Sequence, residues 1–265
     1  MADFLDVLVW DAKEAVESGY YEIERAKTAK RRLSLKESIN RCKHAPIIAE
    51  IKPSSPSYGN LRKISSLREV AIAMERGGAI GISVLTEPKH FGGSIKSLVE
   101  TRNYASLPVL MKDIVIDPVQ IEAASKSGAD AVLLIYSIFK RGYVDSPVED
   151  MISLAHSMGL EVLLETHTKD EFLSGLETDA DLVGINNRDL KTLKVDLKVT
   201  ERILAGVAQY DKIVVSESGI QKPEDIRFLR ACGAKAFLVG SAIMLAENVE
   251  EKVRELVLAY ENGKG

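Results

Sequence analysis

The stretch GGAIGISVL, residues 77–85, returns in altered form as SGADAVLLI (127–135), TDADLVGIN (178–186) and CGAKAFLVG (232–240). Each copy opens on small or turn-forming residues of the kind that follow a helix C-terminus, then becomes apolar. The copies lie about 50 residues apart, a spacing that implies a repeated supersecondary unit. A second series is interleaved with the first: APIIAEIK (45–52), LPVLMKD (107–113), LEVLLET (160–166) and DKIVVSES (211–218). Together the two series give eight short runs rich in Val, Ile and Leu, the composition of strands buried on both faces of a parallel sheet.

The segments between these runs have room for one helix each. Leu67, Val70, Ala71 and Met74 stand at helical spacing within residues 65–78, and Asp117 precedes Pro118 as a cap before a first-turn proline. Eight βα units over residues 46–262 leave roughly 27 residues per unit, the period of a (β/α)8 barrel. An open doubly wound sheet usually has fewer strands and a glycine-rich phosphate fingerprint, and neither G-x-G-x-x-G nor G-x-x-x-x-G-K-[ST] occurs. The expected fold class is therefore α/β: a TIM barrel in one domain over residues 1–265, with a helical extension at 1–45 capping one end. In that extension Leu5, Leu8, Val9 and Ala12 mark an amphipathic helix, Trp10 is expected to pack, and Ser34 with Glu37 forms a capping-box pattern.

A length of 265 residues with 46% apolar and 28% charged residues fits an ordinary globular enzyme. The formal net charge of −4 argues against nucleic acid as a partner. No apolar run approaches the roughly 20 residues of a membrane helix. The acidic N-terminus does not read as a signal peptide. Cys42 and Cys232 suggest no disulfide framework, so a reducing, cytoplasmic setting is expected.

In a TIM barrel the site lies at the C-terminal strand ends. Those ends carry Glu50 and Lys52, Ser83 and Thr86, Lys112 and Asp113, Glu165, Asn186, Ser216 with Glu217 and Ser218, and Gly240 with Ser241; only the fourth ends on apolar Leu134 and Ile135, then Tyr136. Any one charge could be solvated or paired structurally. So many at one mouth imply a shared active site, because buried charges are costly unless paired or used. ESGI (217–220) and GSAIM (240–244) follow the seventh and eighth strands, where such barrels often bind phosphate.

Other chemistries find little support. His44, His90, His156 and His167 lack zinc spacing and are expected at the surface or in packing. No G-x-S-x-G elbow occurs, and neither cysteine ends a strand. Lys30, Arg31 and Arg32 read as a solvated helix face.

The motifs AEIKPSSPSYG (49–59), SVLTEPKHFGGS (83–94), LPVLMKDIVI (107–116), ADAVLLI (129–135), VLLETH (162–167), VGINNRDL (183–190), VSESGI (215–220) and FLVGSAIM (237–244) resemble, in order, those of the indole-3-glycerol phosphate synthase family of tryptophan biosynthesis. The resemblance implies ring closure of 1-(2-carboxyphenylamino)-1-deoxyribulose 5-phosphate, with loss of carbon dioxide and water. It implies Lys112 as general acid, its pKa lowered by burial and Lys52, and Glu165 as base. Lys52 would bind the substrate anions or share the acid's duty with Lys112, Glu50 would support proton transfer and position the lysines, and Asn186 would hold a carboxyl or hydroxyl group. Glu217 and Ser218 would complete the binding shell, with Ser55, Gly219, Gly240 and Ser241 around the phosphate. Asp113 either steadies Lys112 or is structural. No cofactor and no metal are expected, because the protonated ring intermediate is itself the electron sink. The partner is then a small phosphorylated molecule, and nothing in the sequence supports association with other pathway enzymes.

Pro53 and Ile114 depart from the family's commonest residues, a basic residue and Phe. Residues 54–57 are expected to form a flexible loop over the site. Three rivals remain: a Schiff-base aldolase with Lys112 as nucleophile, phosphoribosylanthranilate isomerase, and a non-catalytic barrel.

Overall fold

A computed structural model describes residues 3–26, 31–56, 59–207 and 210–261. Its strands are β1 (Ile47–Ile51), β2 (Gly81–Leu85), β3 (Val109–Lys112), β4 (Ala131–Ile135), β5 (Glu161–Thr166), β6 (Leu182–Asn186), β7 (Ile213–Glu217) and β8 (Ala236–Val239). Each pairs in parallel with its sequence neighbours, and β1 also pairs with β8, so the sheet closes into a TIM barrel with no free edge. Helices alternate with the strands. The helix Pro118–Ser127 starts as expected, with the Asp117 carboxylate accepting from Val119 N at 2.9 Å. Among the described residues no helix is long and apolar enough to cross a membrane.

Strand residues separate by parity into two cores. Ile48, Leu110, Leu133, Leu163, Val215 and Leu238 fill the barrel interior, while Ile47, Met111, Leu134, Leu164, Phe237 and Val239 pack outward under the helices. Both faces are buried, so the runs carry no polar alternation even though the side chains alternate in direction.

The extension serves both ends of the barrel rather than one. Its first helix, α1 (Phe4–Glu17), buries Leu5, Leu8, Val9 and Ala12 and lies at the C-terminal mouth. There Asp11 meets Lys89 Nζ at 2.7 Å and His90 Nε2 at 2.6 Å, while Arg141 meets Asp3 at 2.8 Å. Its second helix, α2 (Leu35–Arg41), closes the N-terminal end. Ser34 caps α2 by accepting from Glu37 N, and its hydroxyl also donates to Glu161. The Glu161 carboxylate, at the first residue of β5, accepts from Leu35 N at 2.7 Å. Leu35 presses on the start of β2, where Gly81 leaves it room; a Cβ there would fall 2.6 Å from Leu35 Cδ1.

Two surface expectations fail. Trp10 is 54% exposed, because it falls off the stripe set by Leu5, Leu8, Val9 and Ala12. Arg31 and Arg32 are not helical, and Arg32 donates to Ala129 O and Ser125 Oγ. Lys30 lies outside the described residues.

Candidate active site

Strand parity decides which end residues enter the mouth. Ile48 leads to Glu50 and Lys52, Leu110 to Lys112, Leu163 to Glu165, Val215 to Glu217 and Leu238 to Gly240, each step two residues along an inward-facing row. Sheet register sets Glu165 opposite Gly184 and Asn186 opposite Glu217. These side chains line a cavity of about 940 Å³, as do Ser55, Ser218, Gly219 and Ser241. All the site residues expected from the sequence therefore share one cavity.

Asp113 has the other parity. Its carboxylate accepts from Tyr21 Oη at 3.0 Å, from Thr86 Oγ1 and from Ile114 N at 2.7 Å. Burial pushes its pKa up to about 6 against those donors. It ties the strand end to the extension, a structural role, while the residue itself borders the cavity.

Lys112 Nζ donates to Glu165 Oε2 at 2.9 Å and to Glu217 Oε2 at 3.3 Å. Lys52 Nζ meets Glu50 Oε1 at 2.7 Å. Burial alone would lower the Lys112 pKa, but Glu165, Glu217 and Glu50 outweigh it and hold the group above its ordinary value. This reverses the expected depression, because three carboxylates act on an ammonium that Lys52 was expected to govern. The two glutamates then separate. Burial raises Glu165, yet Lys112, His167 and Asn186 hold it down to about 2. Glu217 is pushed up to about 8 by burial and by Glu165, with Lys112 opposing. Their shared burial and the ammonium between them thus drive the two carboxyls in opposite directions, Glu165 down and Glu217 up, the pattern of coupled acids driven apart by environment.

Two glycines make room for these acids. A Cβ on Gly184 would fall 2.2 Å from Glu217 Oε1, and one on Gly240 would fall 2.2 Å from Glu50 Oε1. Gly240, expected for phosphate contact, thus also has a steric reason. The turn after β7 is held in an uncommon conformation, with Ser218 at φ 64° and Gly219 at φ 88°. Asn187 fixes it: Nδ2 donates to Glu217 O at 2.9 Å and to Ser218 O at 3.2 Å, and Oδ1 accepts from Thr200 Oγ1 at 2.8 Å. The Asn186 Oδ1 accepts from Arg188 N at 3.0 Å. Ser55 lies in a short ribbon, Ser54–Ser55 against Gly59–Asn60; residue 57, the last of the expected loop, lies outside the described residues.

Sequence reasoning missed Asn187, although VGINNRDL contains it. It also missed the apolar wall of Phe4, Leu8, Phe91 and Ile135, which only folding brings together. His167 was expected at the surface or in packing, yet its Nε2 stands 3.3 Å from Glu165 Oε1.

The family model described as indole-3-glycerol phosphate synthase matches residues 6–256. The protein of that name from Methanocaldococcus jannaschii is 46% identical over 233 residues, 86% of this chain and 85% of that one. Its namesake from Caldanaerobacter subterraneus subsp. tengcongensis is 42% identical over 228 residues, 86% of each. Among solved structures, thiamine phosphate pyrophosphorylase from Pyrococcus furiosus superposes with a TM-score of 0.60 at 20% identity, covering 88% of this chain and all of that one. At that identity the likeness shows the fold alone.

Proposed function

The chain belongs to the indole-3-glycerol phosphate synthase family, an enzyme family of tryptophan synthesis, and on that premise we propose how its residues divide the work. The substrate is 1-(2-carboxyphenylamino)-1-deoxyribulose 5-phosphate. Its ring carbon attacks the ribulose carbonyl, and the Lys112 ammonium donates a proton to the carbonyl oxygen as the bond forms. Carbon dioxide then leaves, with the bonding electrons returning to the cationic ring. Glu165, ionised beside Lys112, then removes a proton from the carbon next to the carbinol while the Lys52 ammonium protonates the departing hydroxyl, so that water leaves. Its contact with Lys112 gives that proton a direct way back to the acid.

The observation that carries this reading is the Lys112–Glu165 pair inside one closed mouth. The Lys52–Glu50 pair binds and steers the substrate anions. Asn186 holds the carboxyl or hydroxyl groups. Ser55, Gly219, Gly240 and Ser241 receive the phosphate, while Glu217 and Ser218 complete the shell. Phe4, Leu8, Phe91 and Ile135 take the aromatic ring, so barrel and extension act as one unit. These protons and anion contacts account for each step without a cofactor or metal. We place the work in the cytoplasm, on a small phosphorylated molecule rather than on nucleic acid.

A Schiff-base role for Lys112 fits less well, because an amine nucleophile must be neutral and three carboxylates favour its ammonium. The test follows product fluorescence with the carboxyphenylamino-deoxyribulose phosphate. The parent is expected to turn over, and Lys112→Ala and Glu165→Gln to lose about a hundred- to ten-thousand-fold in rate. A folded parent with no turnover overturns the reading, and a borohydride-trapped adduct on Lys112 puts the aldolase in its place.

A further inference from the structure

His167 follows β5, two residues beyond Glu165, and has no part in the scheme above. Its side chain is 11% exposed, and both ring nitrogens are buried without a hydrogen-bond partner. Buried polar groups in folded proteins are nearly always paired, so two on one ring need a reason. Nε2 lies 3.3 Å from Glu165 Oε1, while Lys112 holds the other oxygen, Oε2. Nδ1 lies 3.9 Å from Glu171 Oε2, on the helix Lys169–Glu177, which is beyond hydrogen-bond reach. Glu171 is itself fixed, accepting from Ser137 Oγ and from His167 N, each at 2.9 Å.

We propose that His167 is a positioning residue for Glu165: its Nε2–H donates to Oε1 and fixes the plane of the carboxylate. Glu165 must release Lys112 from Oε2 to take a proton from the substrate. A second donor on Oε1 keeps the carboxylate from swinging at that moment, which matters because a base works only within hydrogen-bond reach. No proton passes to the ring; Oε2 gains one and Nε2–H stays. Burial supports a neutral ring, since it lowers the His167 pKa against the opposing pull of Glu165 and Glu171, with Lys112 and Arg141 also lowering it. The present 3.3 Å contact is the unengaged form of this bond.

The inference rests on the role given to Glu165. Two measurements test it. Nitrogen-15 NMR of the ring in the parent is expected to show the neutral Nε2–H tautomer. A ring protonated at Nδ1 alone would donate toward Glu171 instead and overturns the proposal. In kinetics, His167→Ala and His167→Asn are expected to lose about ten- to a hundredfold in kcat, with KM little changed. His167→Gln, whose amide nitrogen reaches the position of Nε2, is expected to restore most of the loss. If the Ala protein does not fold, the Gln and Asn proteins decide, because both keep a polar side chain. Equal kcat in Gln and Asn overturns the proposal, as does a fully active Ala protein. The two readings fail differently. An active Glu165→Gln protein removes the role of Glu165, whereas an inactive one beside a fully active His167→Ala removes only that of His167.

Discussion

At the N-terminal end of the barrel, Arg102 and Asp130 form an ion pair at 3.2 Å with side chains 2% and 0% exposed. Asp130 also accepts from Leu33 N at 2.8 Å and Val109 N at 2.9 Å, and Arg102 donates to Arg31 O at 2.9 Å. At the C-terminal end, Glu165 and Glu217 are as buried and Lys112 is partly exposed, but Glu217 Oε1 and both ring nitrogens of His167 have no partner. One end uses its hydrogen-bonding capacity on the chain itself. The other keeps some unspent and shares its protons unevenly. Charge with every lone pair occupied fixes structure, whereas charge with capacity left over can meet a substrate.

Four substitutions test that contrast. The largest effect is expected at the mouth: Glu165→Gln lowers kcat by about a hundred- to ten-thousand-fold while its thermal midpoint stays near the parent's. Asp130→Ala is expected to do the reverse. It strands the Arg102 charge and costs about 3–5 kcal/mol in urea unfolding, with kcat of the folded protein unchanged. A fall in kcat at intact stability would break the comparison. Gly184→Ala should cost about 1–3 kcal/mol and reduce turnover, because the new methyl displaces the Glu217 carboxylate.

The smallest effect is a pH slope. Glu217 is raised from 4.5 to about 8 on folding. Between those values the folded chain holds a proton that the unfolded chain has lost, so this group's contribution to stability declines as pH rises through that window. Glu217→Gln should flatten the change in unfolding free energy between pH 5 and 8. A slope identical to the parent's would assign the pH dependence to other groups.

The barrel was legible because it is periodic: two interleaved series mark the strands, and the mouth residues follow from counting to the strand ends. Parity was equally readable. Met111 faces out, so Asp113 two residues on does too, just as Lys112 follows Leu110 inward. Trp10 could have been placed by the same counting on its helix. What could not be read was proximity across the ring. The raised Lys112 pKa depends on Glu50, Glu165 and Glu217 arriving from three other strands. The extension's division between two ends depends on where Glu161, Lys89 and Arg141 stand after folding, and the loose fit of His167 behind Glu165 depends on sub-ångström placement.

Gly184 and Gly240 also bear on how such a barrel can change over time. Each glycine lies against a carboxylate from a neighbouring strand, so what one position of a pair holds sets the cost of change at the other. While Glu217 is present, a side chain at 184 must push its carboxylate aside; once 217 shortens, 184 is released. At 240 a new side chain would meet Glu50 down to its Cβ, 3.1 Å away, so shortening 50 relieves that pair only in part. Substitution therefore costs less in one order: the glycine changes more cheaply after the acid has shortened, and the acid returns at a cost once the glycine has gone. A lineage that abandons this chemistry and fills both positions has made the route back the more costly one.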